Sequence, residues 1–277
     1  MTLGPALHEF GWSTDDWPRL GAGVVAGHLL ECGAQVTGGM DSDWNENVDL
    51  GTIGYPIAEL RDDGTSIISK PKGSGGEVSI GIVSEQFVYE IGDPKRYLTP
   101  DVTADFSNVR LTRLADDQVL VEGASGGPPP ATLKVSMVYD AGFTASGMIV
   151  VAGPRAGDKA RAAAEAIRER MKSAGYELEQ FEYECLGSGA TLPGMDLWRQ
   201  ASSEIVLRVA ARDRRRDAIE RLTRELAPLV TSGPPAVTGY TGSRARSRHL
   251  LAYWPTTISR DKVKTSVAVR SAQEWLA

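Results

Sequence analysis

The chain reads as a mixed α+β protein: an N-terminal α/β lobe followed by a small β-β-α-β-β-α sandwich of helices on one sheet. Three observations predict this. Residues 15–33 carry apolar residues at helical spacing. The run Gly126-Gly127-Pro128-Pro129-Pro130 breaks the chain near its middle and reads as a linker. Beyond it, strand-like alternation and two helical segments follow in the order β-β-α-β-β-α. Two domains follow from these boundaries, 1–127 and 131–277.

In the first domain, Asp15 or Asp16 is placed to cap the helix over 15–33, Pro18 suits its first turn, and Gly33 suits its end. Leu20, Val24, Val25, Leu29 and Leu30 form its apolar set. Gly21, Gly23 and Gly27 each cost a helix about 1 kcal/mol against alanine, so they mark close packing on a neighbour or a ligand. A Gly- and Asp-rich loop follows over 38–47. Strands are expected over 65–70 and 77–83 with a turn at 71–76 between them, then a helix from Val83, capped by Ser84, to Gly92. Residues 108–122 read as a strand pair around Asp116–Asp117.

In the second domain, strands are expected over 132–139, 143–152, 177–186 and 204–211, with helices over 155–174 and 214–228. Residues 229–277 read as loop-rich, with a short strand near 249–254. The turn 238–242 has glycines beside Tyr240, which suits either a ligand or a plain surface loop.

Composition removes several function classes. With 277 residues, 42% of them hydrophobic, the chain can bury a core without disulfides or metals. Its formal net charge is -6, and its densest basic run, Arg212 to Arg216, is interleaved with Asp213, so no nucleic-acid partner is expected. No apolar run reaches the roughly 20 residues of a membrane span, so no membrane partner is expected. The opening MTLGPALHEFGW lacks the pattern of a signal peptide. Two distant cysteines, Cys32 and Cys185, fit a reducing compartment, and the expected location is the cytoplasm.

Four clusters carry candidate chemistry. His28 and Cys32 stand four apart on one helix, with Glu31 placed to orient the imidazole. An imidazole beside a thiol makes a nucleophile; the competing reading is a core cysteine beside a hydrogen-bonded histidine. The second cluster is the turn Lys70, Pro71, Lys72, Gly73, Ser74, Gly75, Gly76. Its amides and lysines suit a phosphate, a carboxylate or a phosphopantetheine arm, or else form a hairpin turn with solvated lysines. It is not a Walker motif, because no GK[ST] precedes a helix. The third is Glu85 with Gln86, a carboxylate near a helix start that either serves as a general base or simply suits the helix dipole. The fourth, Asp101 and Asp105, lacks further ligands, and three histidines are too few for a zinc centre, so no metal site is expected.

Several strings, in register, resemble one family. GHLLECGAQVTGG (27–39), IGYPIAEL (53–60), SKPKGSGGEVS (69–79), EQFVYEIGDPKRYLTPDVTADF (85–106) and TLKVS (132–136), with the opening LGPALHEFGW (3–12), resemble the acyclic terpene utilisation AtuA family. The resemblance covers most of residues 3–260. It implies a place in the catabolism of acyl-CoA species, notably branched or terpenoid acids. The expected substrate is a small acyl thioester or carboxylic acid; no cofactor is predicted, and a CoA-type or acyl-carrier thioester enters only as substrate. The reaction stays open between hydrolysis, C–C lyase chemistry and isomerisation α to a carbonyl.

Carried over by position, the expected catalytic residues are His28, Glu31, Cys32 and Glu85. The expected substrate-binding residues are Lys70, Lys72, Gly73, Ser74, Gly75, Gly76 and Gln86. Family members are mostly longer, with a glycine-rich N-terminal segment ahead of the stretch matched here. The resemblance therefore implies a hetero-oligomer in which a partner chain carries that N-terminal half. The alternative is a non-catalytic scaffold or regulatory subunit of an acyl-CoA-processing complex.

Overall fold

The computed structural model describes residues 2–44, 48–191, 203–240 and 244–275. Two units emerge, Met1–Leu133 with Thr257–Ala277, and Lys134–Thr256. Helices and sheets are mixed, and every named strand pair with a stated register is antiparallel. No helix among the described residues is long and apolar enough to cross a membrane.

The first unit is built around one buried helix. Helix α1 spans Leu3–Phe10 and α2 spans Trp17–Glu31. Asp16 caps α2 by accepting the Arg19 N–H at 3.4 Å, and Pro18 lies in its first turn. Leu20, Ala22, Val25, Ala26 and Leu29 are all buried, on more than one face, so α2 is a core helix. Its glycines are contact points. A Cβ on Gly21 would lie 2.0 Å from the Ser125 carbonyl oxygen, and one on Gly23 would lie 2.6 Å from the Leu3 side chain. Ser125 belongs to β7 (Ser125–Gly127), which pairs with β4 (Thr103–Asp105) and through it with β3 (Tyr97–Leu98). Gly126 and Gly127 are thus strand residues of the first unit rather than a linker. A Cβ on Gly126 would lie 2.6 Å from the Trp17 carbonyl oxygen.

A second sheet runs β1 (Ile57–Leu60), β2 (Ser66–Ser69), β6 (Gln118–Glu122), β5 (Arg110–Ala115). Asp117, at φ 56°, makes the turn between β5 and β6, as the strand-pair expectation has it. The strand expected over 77–83 is instead the start of helix α3 (Ile80–Val88). Ser79, not Ser84, is its cap, accepting the Ile82 N–H at 3.3 Å; Ser84 donates back to the Ile80 carbonyl inside the helix. The pattern EVSIGIV fits either period, and the cap together with the burial of Ile82, Val83 and Gln86 decides for the helix. The helix stops at Val88 rather than Gly92, because Tyr89 is extended and Glu90 turns left-handed at φ 57°.

In the second unit the two strands expected over 132–152 are one, β8 (Thr132–Ala152). Gly142, at φ 88°, bends it, and a Cβ there would lie 2.6 Å from the Asp213 carbonyl oxygen. Helix α4 (Ala156–Ser173), strands β9 (Gln180–Leu186) and β10 (Glu204–Asp213) and helix α5 (Arg216–Leu222) follow. The helix expected over 214–228 thus breaks after Leu222, and Pro228 precedes a separate turn, α6 (Leu229–Ser232). The tail is not loop-rich throughout, since it holds β11 (Val237–Tyr240) and the twelve-residue β12 (Arg248–Ser259). The sheet order is β11-β8-β10-β9, with β12 also on β8. Ile149, Val151, Ile205, Leu207 and Val209 face Ala160, Ala163, Ile167 and Ile219 in one core. Part of the glycine- and tyrosine-bearing turn at 238–242 and part of the loop at 38–47 lie outside the described residues.

Candidate functional site

Two residues of one helix turn and one of its neighbour meet at the end of α2. Positions three apart on a helix share a face, and His28 Nδ1 lies 2.9 Å from Glu31 Oε1. The other ring nitrogen, Nε2, lies 3.0 Å from the Gln86 main-chain oxygen. The Gln86 side chain in turn donates its amide to the His28 carbonyl at 3.0 Å. Phe106 and Tyr97 meet the imidazole edge-on, at centroid separations of 5.5 and 5.7 Å. The His28 side chain is only 1% exposed, whereas that of Glu31 is 45% exposed. The pair therefore connects the core to the surface.

Glu31 opens on a cavity of about 400 Å³, shared with Thr2, Val24, Gly27, Tyr97 and Asp101 among others. Burial raises the Tyr97 phenol above its ordinary value, and the nearby Glu31, Glu90 and Cys32 charges raise it further. This phenol stays protonated at neutral pH and is a hydrogen-bond donor. Tyr97 and Thr99 are not among the residues expected from sequence, and Asp101 is weighed there only as a cation ligand beside Asp105. The signal was present only as membership of the string 85–106, because a two-residue strand leaves no period to read.

Both ring nitrogens of His28 face oxygens, so neither is on the Cys32 thiol. The imidazole–thiol pair suggested by their spacing does not form. Cys32 is free and half-buried at the C-cap of α2.

The turn 70–76 is occupied with its own structure. The Lys70 ammonium, its side chain 7% exposed, lies 3.1 Å from Asp117 Oδ2 and donates to the Ser74 carbonyl at 2.8 Å. The Ser74 amide goes to the Pro71 carbonyl, the Gly75 amide to Thr52 and the Glu77 amide to Thr37, at 2.9 to 3.1 Å. A Cβ on Gly75 would lie 2.4 Å from the Asp49 carbonyl oxygen, and one on Gly76 would lie 2.1 Å from that of Thr37. These glycines exist so that the turn can dock on the loop before β1. Pro71, Lys72 and Gly73 are left exposed. The adjoining cavity, about 430 Å³, is lined by the carboxylates of Asp41, Asp49 and Glu77. Its charge opposes the anion expected there.

Glu85 belongs to that second region, not to the first. Its carboxylate accepts the Ser42 N–H at 3.2 Å. Successive helix residues point about 100° apart, and α3 uses this to send Glu85 toward Ser42 and Gln86 toward His28. The expected residues therefore divide. His28, Glu31 and Gln86 come together, Cys32 follows Glu31 in the chain with its thiol on neither ring nitrogen, and Glu85 and the turn 70–76 lie elsewhere. Among the described residues, no group of three or more His, Cys, Asp or Glu side chains is arranged to hold a metal ion.

One family model, described as acyclic terpene utilisation family protein AtuA, matches residues 1–269. No curated protein and no solved structure matches the chain.

Proposed function

Because the chain belongs to the acyclic terpene utilisation AtuA family, we propose that it is a cytoplasmic subunit of an enzyme acting on an acyl thioester or a carboxylic acid, with Glu31 and Tyr97 as its reacting pair. The observation that carries the reading is a carboxylate on the wall of an open cavity, backed by a buried imidazole. Glu31 takes the proton, either from the carbon α to the carbonyl or from an attacking water. Tyr97, held protonated, donates to the carbonyl oxygen as negative charge gathers there. His28 positions Glu31 and does not touch substrate, since its ring is buried and both nitrogens are engaged. No cofactor takes part in these steps, and a CoA-type or carrier-bound thioester is the substrate.

A partner chain is proposed to complete the enzyme as a hetero-oligomer. Val88 and Leu98, both exposed, stand beside Gln86 and Tyr97 in sequence and offer apolar surface for it. The test uses the assembly recovered on the tagged chain from its host, with a panel of branched acyl-CoA thioesters. Thioester cleavage and α-proton exchange in D₂O are both read. E31Q is expected to remove activity and Y97F to lower it about a hundredfold, with E85Q unchanged.

A second reading, a non-catalytic scaffold or regulatory subunit, is favoured by the glycines of α2, which are filled by packing on Ser125 and Leu3. Assemblies that turn over thioesters equally well with E31Q and Y97F would establish that reading and sink the first.

A further inference from the structure

The second unit carries a two-stranded ribbon formed by the N-terminal part of β8 and by β12. Its register is marked by His249 Nε2, 3.0 Å from Asp140 Oδ1. Met137, Val138 and Tyr139 on one strand and Leu251, Tyr253 and Trp254 on the other are all exposed, Val138 by 61% and Trp254 by 58%. Adjacent strand residues point to opposite faces, so both faces of the ribbon show apolar surface. A ribbon with neither face packed is marginal in water, and contiguous apolar surface of this kind marks an interaction site.

Charge says what fits it. Arg244, Arg246 and Arg248, alternate residues entering β12, are exposed and form no ion pair among the described residues. Asp140, the nearby carboxylate, is already engaged by His249. The first unit carries the opposite pattern. Met40 and Tyr55, 77% and 74% exposed, and the exposed Trp44 and Leu50 are interleaved with Asp41, Asp43 and Asp49. Those three carboxylates also form no ion pair among the described residues, and two of them line the 430 Å³ cavity.

We infer that the occupant of the ribbon is a second copy of this chain, whose acidic, apolar segment around Trp44 receives the arginines and Trp254. One chain supplies both halves of this complementarity, and a reciprocal exchange buries the two patches of each protomer in a closed pair. Ribbon on ribbon would set arginine against arginine. This pairing is independent of the chemistry at Glu31.

The test is light scattering coupled to size exclusion on the purified chain, with circular dichroism to verify folding. The wild type is expected to be a dimer that dissociates as salt rises, because the contact is electrostatic at its rim. D43K/D49K and R246E/R248E are each expected to weaken the pair at least tenfold. Mixed together, these two variants are expected to dimerise again, since each then meets its opposite charge at both contacts. A monomeric wild type would overturn the inference, as would a dimer indifferent to both variants. A dimer strengthened by salt would assign the ribbon to apolar self-packing, and a chain monomeric alone yet held by another protein in the host would assign it to that protein; either result overturns the pairing of the ribbon with the acidic segment around Trp44.

Discussion

Gln86 and His28 hold each other through their main chains: the Gln86 amide donates to the His28 carbonyl, and the His28 ring lies against the Gln86 carbonyl, each at 3.0 Å. The glutamine thereby serves one of the orphan carbonyls at the end of α2. Its own Oε1 is buried without a partner. Truncating it by Q86A removes a buried bond and opens a void, at a cost of about 2 kcal/mol. Denaturant unfolding measures the loss, and the ¹⁵N resonances of the His28 ring are expected to broaden. Unchanged stability with a sharp ring signal would mean that the reciprocal pair holds nothing.

Glycine to alanine substitutions in helices α1 and α2 should differ in sign. Gly4 in α1 has nothing within 4 Å of an added Cβ, so G4A is expected to stabilise by about 0.5 kcal/mol. Gly21 in α2 would press its Cβ into the Ser125 backbone at 2.0 Å, and G21A is expected to destabilise by about 2 kcal/mol despite its better propensity. Thermal melts of the two variants beside wild type decide it, and a stabilised G21A would refute the packing of α2 on β7.

Asp213 sets an acid limit on the second unit. Hydrogen bonding to Arg215 first, and then to the Arg215 and Glu179 amides, lowers its carboxyl from 3.8 to about 2. A folded pKa below the unfolded one gives stability that is complete above the unfolded value of about 3.9. That stability is lost as pH falls through about 2. D213N is therefore expected to cost about 3 kcal/mol at neutral pH and to flatten the fall in stability between roughly pH 4 and 2. Urea midpoints across that range read both effects.

The two thiols should separate cleanly. Cys185 is buried in the second unit's core, and burial raises its thiol above the ordinary value. Cys32 is half-buried at a helix end. Under native conditions a thiol reagent is expected to label Cys32, with Cys185 following only after unfolding. Peptide mapping of the labelled protein would expose the reverse order.

Local chemistry made much of this fold readable in advance. Asp16 and Pro18 announce α2, and the 18-residue α4 is long enough for its alanines to mark a buried stripe, Ala156, Ala160, Ala163 and Ala164. Where the sequence misled, a distant partner made the decision. Lys70 looks like an anion ligand until Asp117, 47 residues on by number, closes on it. Gly126 looks like a linker until Trp17 needs its space. At the candidate site, the helix spacing of His28 and Glu31 was legible, whereas Tyr97 and Asp101 arrive through β3 and the turn after it, which have no period to announce them. The face of α3 that meets His28 is set by one step around a helix, and a strand reading of 77–83 hides it.

Thr2 donates its hydroxyl to the Gly23 carbonyl, and Thr2 and Leu3 line the wall of the Glu31 cavity. This has a practical bearing on how the protein is handled. An affinity tag or fusion partner joined ahead of Thr2 leaves the fold beside the cavity that Glu31 and Tyr97 line. Binding and turnover are best measured with that end cleaved back or with the handle moved to the far terminus, and a tagged sample that fails to bind acquits the site of nothing.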